Sequence, residues 1–392
     1  MDTQQNNILP NQWVVMVKPN LTAELMQSDH LSKLDDMTVD PTTPFNVQVS
    51  QQFDFPELKG YSAKFDDATK AELEKMPEVL GIEPEQLYRH CQFQPDAPWG
   101  LGRISTRAKV GDPPYSYTYR DDAAGAGTVA YVIDTGINDQ HVEFERRATK
   151  GPVFVSDGSA SDEDVQGHGT HVAGTIGSRA YGVAKRASIV AVKVFSDVTG
   201  FAQTSDIIKA LEWVVGDVDS HGIKDRAVVN LSLGGGASAA LDAAVASTVR
   251  HGVVVCVAAG NNFGLADDQS PAREPLAITV GATDIMDAFA SFSGYGKMID
   301  IVAPGVNILS CWKGSPTATR TISGTSMATP HVAGVACCLL SDATWNERDS
   351  SQVMSKILIL ADKGDITGIG PGSAKDRTIN ALLHNTTSTT DV

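Results

Sequence analysis

Long apolar runs are missing from this sequence. Val253–Ala259 is among the longest, far short of the roughly 20 residues a membrane helix needs, so no segment is expected to span a bilayer. Basic residues are in deficit, with 31 Lys and Arg against 47 Asp and Glu and a formal charge of −16. Nucleic acid is therefore not expected as a main partner, and solubility or cationic ligands fit the balance better. Cysteines are few: Cys91, Cys256, Cys311, Cys337 and Cys338 are an odd number without C-x-x-C spacing, which argues against a disulfide framework or a zinc site. They read as buried thiols acting as small hydrophobes, and the neighbours Cys337 and Cys338 would bond only in a strained ring. Such usage fits a reduced intracellular chain and equally a secreted one that needs no staples. Met1–Asn7 has no basic stretch leading into an apolar one, so the chain as it stands is expected to be intracellular.

What is present is ordinary globular material. The 392 residues are 42% hydrophobic and 20% charged, enough for one large or two moderate domains with a sizeable core. Residues 1–91 read as a unit of their own. Trp13–Val17, Phe45–Phe53, Leu58–Phe65 and Val79–Glu83 have strand character, and Leu21–Leu34 and Asp67–Met76 have helical patterns, the second capped by Asp66 and Asp67. The order β-α-β-β-α-β is that of a small ferredoxin-like α+β module, which by itself says nothing of function.

From Gln92 to Asp112 the composition shifts to Pro, Gly and Trp, as in a connector entering a second domain, 92–384. Beyond it the strands Thr128–Ile133, Ile189–Val194, Val228–Leu233, Val253–Ala258 and Ile278–Val280 alternate with helical segments Thr170–Ile176, Ser205–Gly216 and Leu241–Arg250. Strands this continuously apolar are buried on both faces, so an α/β fold with a mainly parallel sheet is expected, with ligands at the strands' carboxyl ends. Residues 385–392 read as a polar, disordered tail.

Three motifs carry chemistry. In Val132-Ile133-Asp134-Thr135-Gly136 a carboxylate follows the end of a buried strand, where many Asp residues merely cap a turn. In Gly167-His168-Gly169-Thr170-His171 an imidazole sits between glycines at a helix opening, a position that is often only structural. In Ser323-Gly324-Thr325-Ser326-Met327-Ala328-Thr329-Pro330-His331 a serine sits where a loop becomes a helix, with its own N–H free of an intrahelical partner. Pro330 is expected in the first turn, where a missing N–H costs little. Acyl transfer needs a hydroxyl, an imidazole to take its proton and a carboxylate to orient that imidazole. Asp134, His168 and Ser326 supply the three together.

With these residues in the order Asp…His…Ser, the sequence resembles the subtilisin-like serine proteases, closest to the proteinase-K-like fungal branch, whose chain order this is. The resemblance covers nearly the whole chain. It implies a subtilisin-like three-layer fold, Asp134 as orienting acid, His168 as general base and Ser326 as nucleophile. Asn261, in Val257-Ala258-Ala259-Gly260-Asn261, matches the oxyanion-hole asparagine beside the backbone N–H of Ser326; as a bare residue it also reads as a turn Asn. Ser232-Leu233-Gly234-Gly235 resembles the substrate-binding strand, which pairs with an extended peptide. The S1 pocket would lie between it and Ala258-Ala259-Gly260, with Thr325 nearby. Neither segment is acidic, so apolar or aromatic P1 residues are expected. Thr199–Ala202 resembles the other channel wall, and the S4 preference stays open. Pro275 and Ala277 carbonyls with the Asp300 carboxylate match a structural calcium site of oxygen ligands, although Asp300 reads equally as a solvated turn residue. Catalysis itself needs no cofactor.

The first module is then similar to an I9-type inhibitory propeptide, its own chain's intramolecular inhibitor and folding aid. Matching Ala97-Pro98-Trp99-Gly100-Leu101 to the mature amino terminus puts the processing bond near Cys91-Gln92, with Tyr88 near P4. The chain departs from its secreted relatives in carrying Val129, Val172 and Ile278 where cysteines are common. That points to an intracellular location, against the secreted or vacuolar one the family implies. Asn20, Asn230 and Asn385 each open an Asn-x-Ser/Thr pattern, the second in an expected buried strand. The leading expectation is a monomeric, broad-specificity endopeptidase acting on polypeptides. A specialised precursor-processing protease and a non-catalytic peptide-binding pseudoenzyme are the alternatives.

Overall fold

The computed structural model describes residues 8–21, 30, 32, 47–86, 91–158, 161–345, 348–369 and 378–385. The chain divides into two units, Met1–Arg89 and His90–Val392. In the first, β1 (Ile8–Val17), β2 (Gln48–Asp54), β3 (Lys59–Lys64) and β4 (Val79–Gln86) form an antiparallel sheet in the order β2-β3-β1-β4. This is the ferredoxin-like arrangement, and alternation explains its core. Val15 and Val17 of β1 and Tyr61 and Ala63 of β3 point to one face, where they pack with Phe65 and with Leu73 of α1 (Asp67–Leu73). Asp66 caps α1 through a 2.8 Å bond from Thr69 N. The helix expected over Leu21–Leu34 lies almost wholly outside the described residues.

The second unit opens with β5 (Cys91–Ala97), α2 (Trp99–Ile104) and β6 (Tyr115–Arg120), β5 pairing antiparallel with β6. Its centre is a nine-stranded sheet containing β7 (Val129–Asp134), β8 (Ala148–Val153), β9 (Ser188–Lys193), β10 (Ala227–Leu231), β12 (Val254–Ala258), β14 (Ile278–Thr283), β15 (Ile301–Pro304), β18 (Asp362–Lys363) and β19 (Ala381–Leu382). All pairs are parallel except β18 with β19. The short pairs β11 (Gly235–Gly236) with β13 (Gln269–Ser270) and β16 (Ile308–Cys311) with β17 (Thr319–Ile322) lie outside it.

Period-two alternation sorts the strand side chains between two layers. Ala130, Val132, Val228, Val254 and Cys256 face one core with α3 (His168–Gly177) and α6 (Thr325–Ser341). Tyr131, Ile133, Val229, Val255 and Val257 face the other, with α4 (Thr204–His221) and α5 (Ala239–Arg250). The result is a three-layer α/β/α unit. All but the last residue of α6 is buried, and small residues let it do so: a Cβ on Gly334 would lie 2.6 Å from Val183 Cβ. The cysteines are thiols, four of them buried. Asn385 is not part of a loose tail, because its N–H donates to Ile104 O at 2.6 Å and its side chain to Thr118 O at 2.7 Å; residues 386–392 lie outside the described set.

Chain order makes β7 the switch point. The strands that follow it in sequence, β8 and β9, lie on one side, and β10 onward on the other. Loops leaving β7, β10 and β12 therefore open beside one another at the carboxyl edge, where such sheets place ligands.

Candidate active site

Asp134 ends β7 and is fully buried. Its carboxylate oxygens lie 2.8 and 2.9 Å from His168 Nδ1, and Oδ1 also accepts from Thr135 N at 2.7 Å. His168 is the first residue of α3, with its side chain 30% exposed. Two glycines make the placement feasible. Gly167 caps the helix at φ 95°, where a Cβ would also strike the Trp312 ring at 2.5 Å, and a Cβ on Gly169 would lie 2.2 Å from Gly136 O. Burial disfavours a charged imidazole here. The Asp134 carboxylate, by its charge and its hydrogen bond, and the charge of Asp164 outweigh that and hold His168 above the ordinary histidine value.

Ser326 is the second residue of α6 and 9% exposed. Its N–H precedes the point where intrahelical partners begin. Its Oγ donates to Ser232 O at 3.2 Å, and no hydrogen bond joins it to His168 among the described residues. Hydrogen bonds between a hydroxyl and a neighbouring imidazole that would serve as its base are often long or poorly aligned before substrate binds. Pro330 is the sixth residue of α6, not in its first turn as expected. The carbonyl it cannot serve is that of Ser326, which accepts instead from Ser232 Oγ at 2.8 Å; that hydroxyl in turn accepts from Asn230 Nδ2 at 2.9 Å.

Asn261 follows β12 and is exposed. Its Oδ1 accepts from Thr325 N at 2.8 Å and Thr325 Oγ1 at 3.0 Å. With the amide oxygen so engaged, Nδ2 is the end available to an incoming acceptor. Ser232 and Leu233 are buried while Gly234 and Gly235 are exposed, and Ala258 and Ala259 are buried on the adjacent strand extension. Gly260 has φ 97° and its Cβ would meet Gln269 Oε1 at 2.4 Å.

The remaining predicted positions lie apart from this cluster. Cys91 and Gln92 begin β5, opposite Arg120 and Tyr119; residues 87–90, Tyr88 included, lie outside the described set. Asp300 Oδ2 accepts from Thr279 N at 2.8 Å, and desolvation pushes its carboxyl up to about 7. No cationic side chain pairs with it among the described residues. As a lone carboxylate it could serve as one oxygen ligand of a hard cation, and no group of three or more His, Cys, Asp or Glu gathers as a metal site among the described residues. The sequence reading missed Asp164, Thr135 and Asn230. Asp164 had a local signal, an acidic residue three before a helix-opening glycine.

Comparison with known proteins identifies the family. Residues 125–386 match the subtilase family (Peptidase S8), and residues 12–90 match peptidase inhibitor I9. The chain is 42% identical over 373 residues to alkaline protease 1 of Aspergillus clavatus, covering 93% of this chain and 90% of that protein. It is 44% identical over 329 residues to proteinase R of Parengyodontium album, covering 84% and 80% respectively. A crystal structure of a cold adapted subtilisin-like serine proteinase superposes with a TM-score of 0.65 at 40% identity, covering 75% of this chain and 100% of that one. The chain therefore belongs to the subtilase family, as a subtilisin-like serine protease carrying an inhibitor I9 propeptide.

Proposed function

We propose that this zymogen yields an endopeptidase working through Asp134, His168 and Ser326. The observation that carries the reading is the buried Asp134 carboxylate on His168 Nδ1, which leaves Nε2 as the ring's acceptor. Ser326 Oγ adds to the scissile carbonyl while Nε2 takes its proton. The oxyanion is held by Asn261 Nδ2 and the Ser326 N–H. His168 then protonates the leaving amine, and water, giving its proton to the same nitrogen, releases the acyl group. Asp134 holds the tautomer and offsets the imidazolium charge.

An extended peptide pairs with Ser232–Gly235, where a Cβ on Gly235 would meet nothing within 4 Å. The P1 side chain enters between that segment and Ala258–Gly260, beside Thr325. Leu233 and the two alanines supply apolar walls without a carboxylate, so Phe, Tyr or Leu is preferred over Lys or Arg. The prosegment is residues 1–91, cleaved at Cys91-Gln92. The pairing of Gln92 with Tyr119 supports this, since it gives the new amino terminus a strand to stay in. Pro275, Ala277 and Asp300 would hold a calcium ion, which supplies stability and no chemistry.

The test compares the full chain with Ser326→Ala. The parent is expected to lose residues 1–91 and to hydrolyse a peptide with Phe at P1, and the variant to do neither. If both stay full length, and both are inert after another protease removes the prosegment, catalysis is refuted in favour of peptide capture.

A further inference from the structure

Asp164 is a buried carboxylate for which the mechanism above has no use. It is 6% exposed and ion-paired with no cation among the described residues. Its solvation comes instead from five donors. Oδ1 accepts from Thr135 Oγ1 at 2.8 Å, Gln166 N at 3.1 Å and Gly167 N at 2.7 Å. Oδ2 accepts from Thr170 N at 3.0 Å and Thr170 Oγ1 at 2.6 Å.

The donors matter for where they sit. Thr135 follows Asp134, Gly167 precedes His168, and Thr170 lies two residues beyond it. Thr135 Oγ1 closes the circuit by accepting from Gly169 N at 2.8 Å, and Thr170 Oγ1 by accepting from Asn138 N at 2.9 Å. One carboxylate thus joins the turn after β7, the backbone on both sides of His168 and the first turn of α3. Gly136, at φ 108°, makes room, because a Cβ there would lie 3.3 Å from Asp164 N.

We infer that Asp164 is a positioning residue for the proton-transfer pair: its carboxylate holds Asp134 and His168 in register, and its charge favours the imidazolium formed during attack. This rests on the protease reading above. A neutral hydrogen-bonding side chain would serve the geometry in part and the charge not at all. In Asp164→Asn, Oδ1 keeps three donors, but the amide NH2 faces the Thr170 N–H, where two donors meet.

The groups acting on His168 are Asp134 from β7 and Asp164 from the preceding loop; His168 in turn acts on His171, one turn along α3, as does His331 of α6. Lys313 is engaged with Val165 O, and Lys150 with Glu163.

The experiment uses mature wild type, Asp164→Asn and Thr135→Val, with competent sites counted by an acylating probe of Ser326. In Asp164→Asn, kcat per titrated site is expected to fall about tenfold to hundredfold, as misplacement in such sites does, with KM within about twofold. The acid limb of kcat/KM moves to lower pH, a change a merely structural role would not produce. Thr135→Val, which removes one link and keeps the charge, lowers kcat without displacing the acid limb as far. Wild-type kcat in Asp164→Asn, or a fallen kcat with an unmoved acid limb, overturns the inference. If Asp164→Asn does not fold, unchanged kcat in Thr135→Val overturns it instead. A folded wild type that fails to hydrolyse peptide refutes the protease reading, a result distinct from either.

Discussion

Ser232 Oγ donates to the carbonyl of Ser326 at 2.8 Å, the one acceptor in that turn of α6 that Pro330 leaves without a helical donor. The reverse bond, Ser326 Oγ to Ser232 O, closes a reciprocal pair between β10's exit and the start of α6. Removing the hydroxyl would orphan a buried carbonyl, at a cost of about 1–3 kcal/mol. Ser232→Ala in a Ser326→Ala background, where autolysis is absent, is expected to lose that much in urea unfolding. Stability within 0 to about 0.5 kcal/mol of the parent would show the bond to be dispensable.

Asn261 has its amide oxygen held by Thr325, which leaves the donor end for the oxyanion of the proposed mechanism. Asn261→Ala is expected to lower kcat by roughly 10²–10³, the cost measured for such a donor in a subtilisin, with little change in KM. A loss confined to KM would move Asn261 out of the oxyanion hole and into ground-state binding.

In the proposed mechanism the neutral form of His168 is the active one, and Asp134 and Asp164 hold its pKa above the ordinary value of 6.5 against the opposing effect of burial. Raising the pKa moves the activity midpoint upward, so kcat/KM is expected to climb with pH through a midpoint above 6.5. Asp134→Asn should bring whatever midpoint survives to lower pH. A wild-type midpoint well below 6.5 would contradict the assignment.

Three other histidines, His171, His331 and His384, are kept neutral chiefly by burial, each pushed down to about 4. An unfolded histidine titrates near 6.5, so on acidification the unfolded chain binds protons before the folded one does. Their contribution to stability is complete above about 6.5 and is lost as pH falls toward about 4. Urea unfolding of Ser326→Ala between these limits should show a slope that flattens in a His384→Gln variant. An identical slope would mean His384 titrates normally in the fold.

Asp300 links the calcium proposal to a measurement. A chelator is expected to lower the melting temperature of the mature protein, and Asp300→Asn to melt lower and ignore the chelator. Equal sensitivity in both would place any stabilising cation elsewhere.

The strands β7, β9, β10, β12 and β14 were legible because continuous apolar runs survive burial on both faces. The order of β1–β4 was legible because turn signals separate short alternating segments. β8 was not, since Ala148–Val153 carries Thr, Lys and Gly and holds its place through pairing with β9. Pro330 was misplaced by one turn: the helix was expected to open near Ser326 with Pro330 in its first turn, but α6 opens at Thr325 and carries Pro330 as its sixth residue. Asn385 was read as tail because its composition is polar, yet its backbone and side chain both dock on carbonyls of the second unit. The sequons divide on burial as well: Asn230 and Asn385 are buried, whereas Asn20 is exposed.

By itself, the sequence determined the local motifs from which the chemistry is proposed: a carboxylate, an imidazole and a hydroxyl, each with the glycines its backbone requires. It also determined the two-unit plan, because strand and helix periods are local properties. Tertiary structure decided which groups meet. Ser232 on the Ser326 carbonyl, Asn261 turned by Thr325, and Asp164 joining both sides of His168 are contacts between loops brought together by parallel strand packing. No periodicity encodes them, because each depends on register and on the depth at which α3 and α6 sit against the sheet.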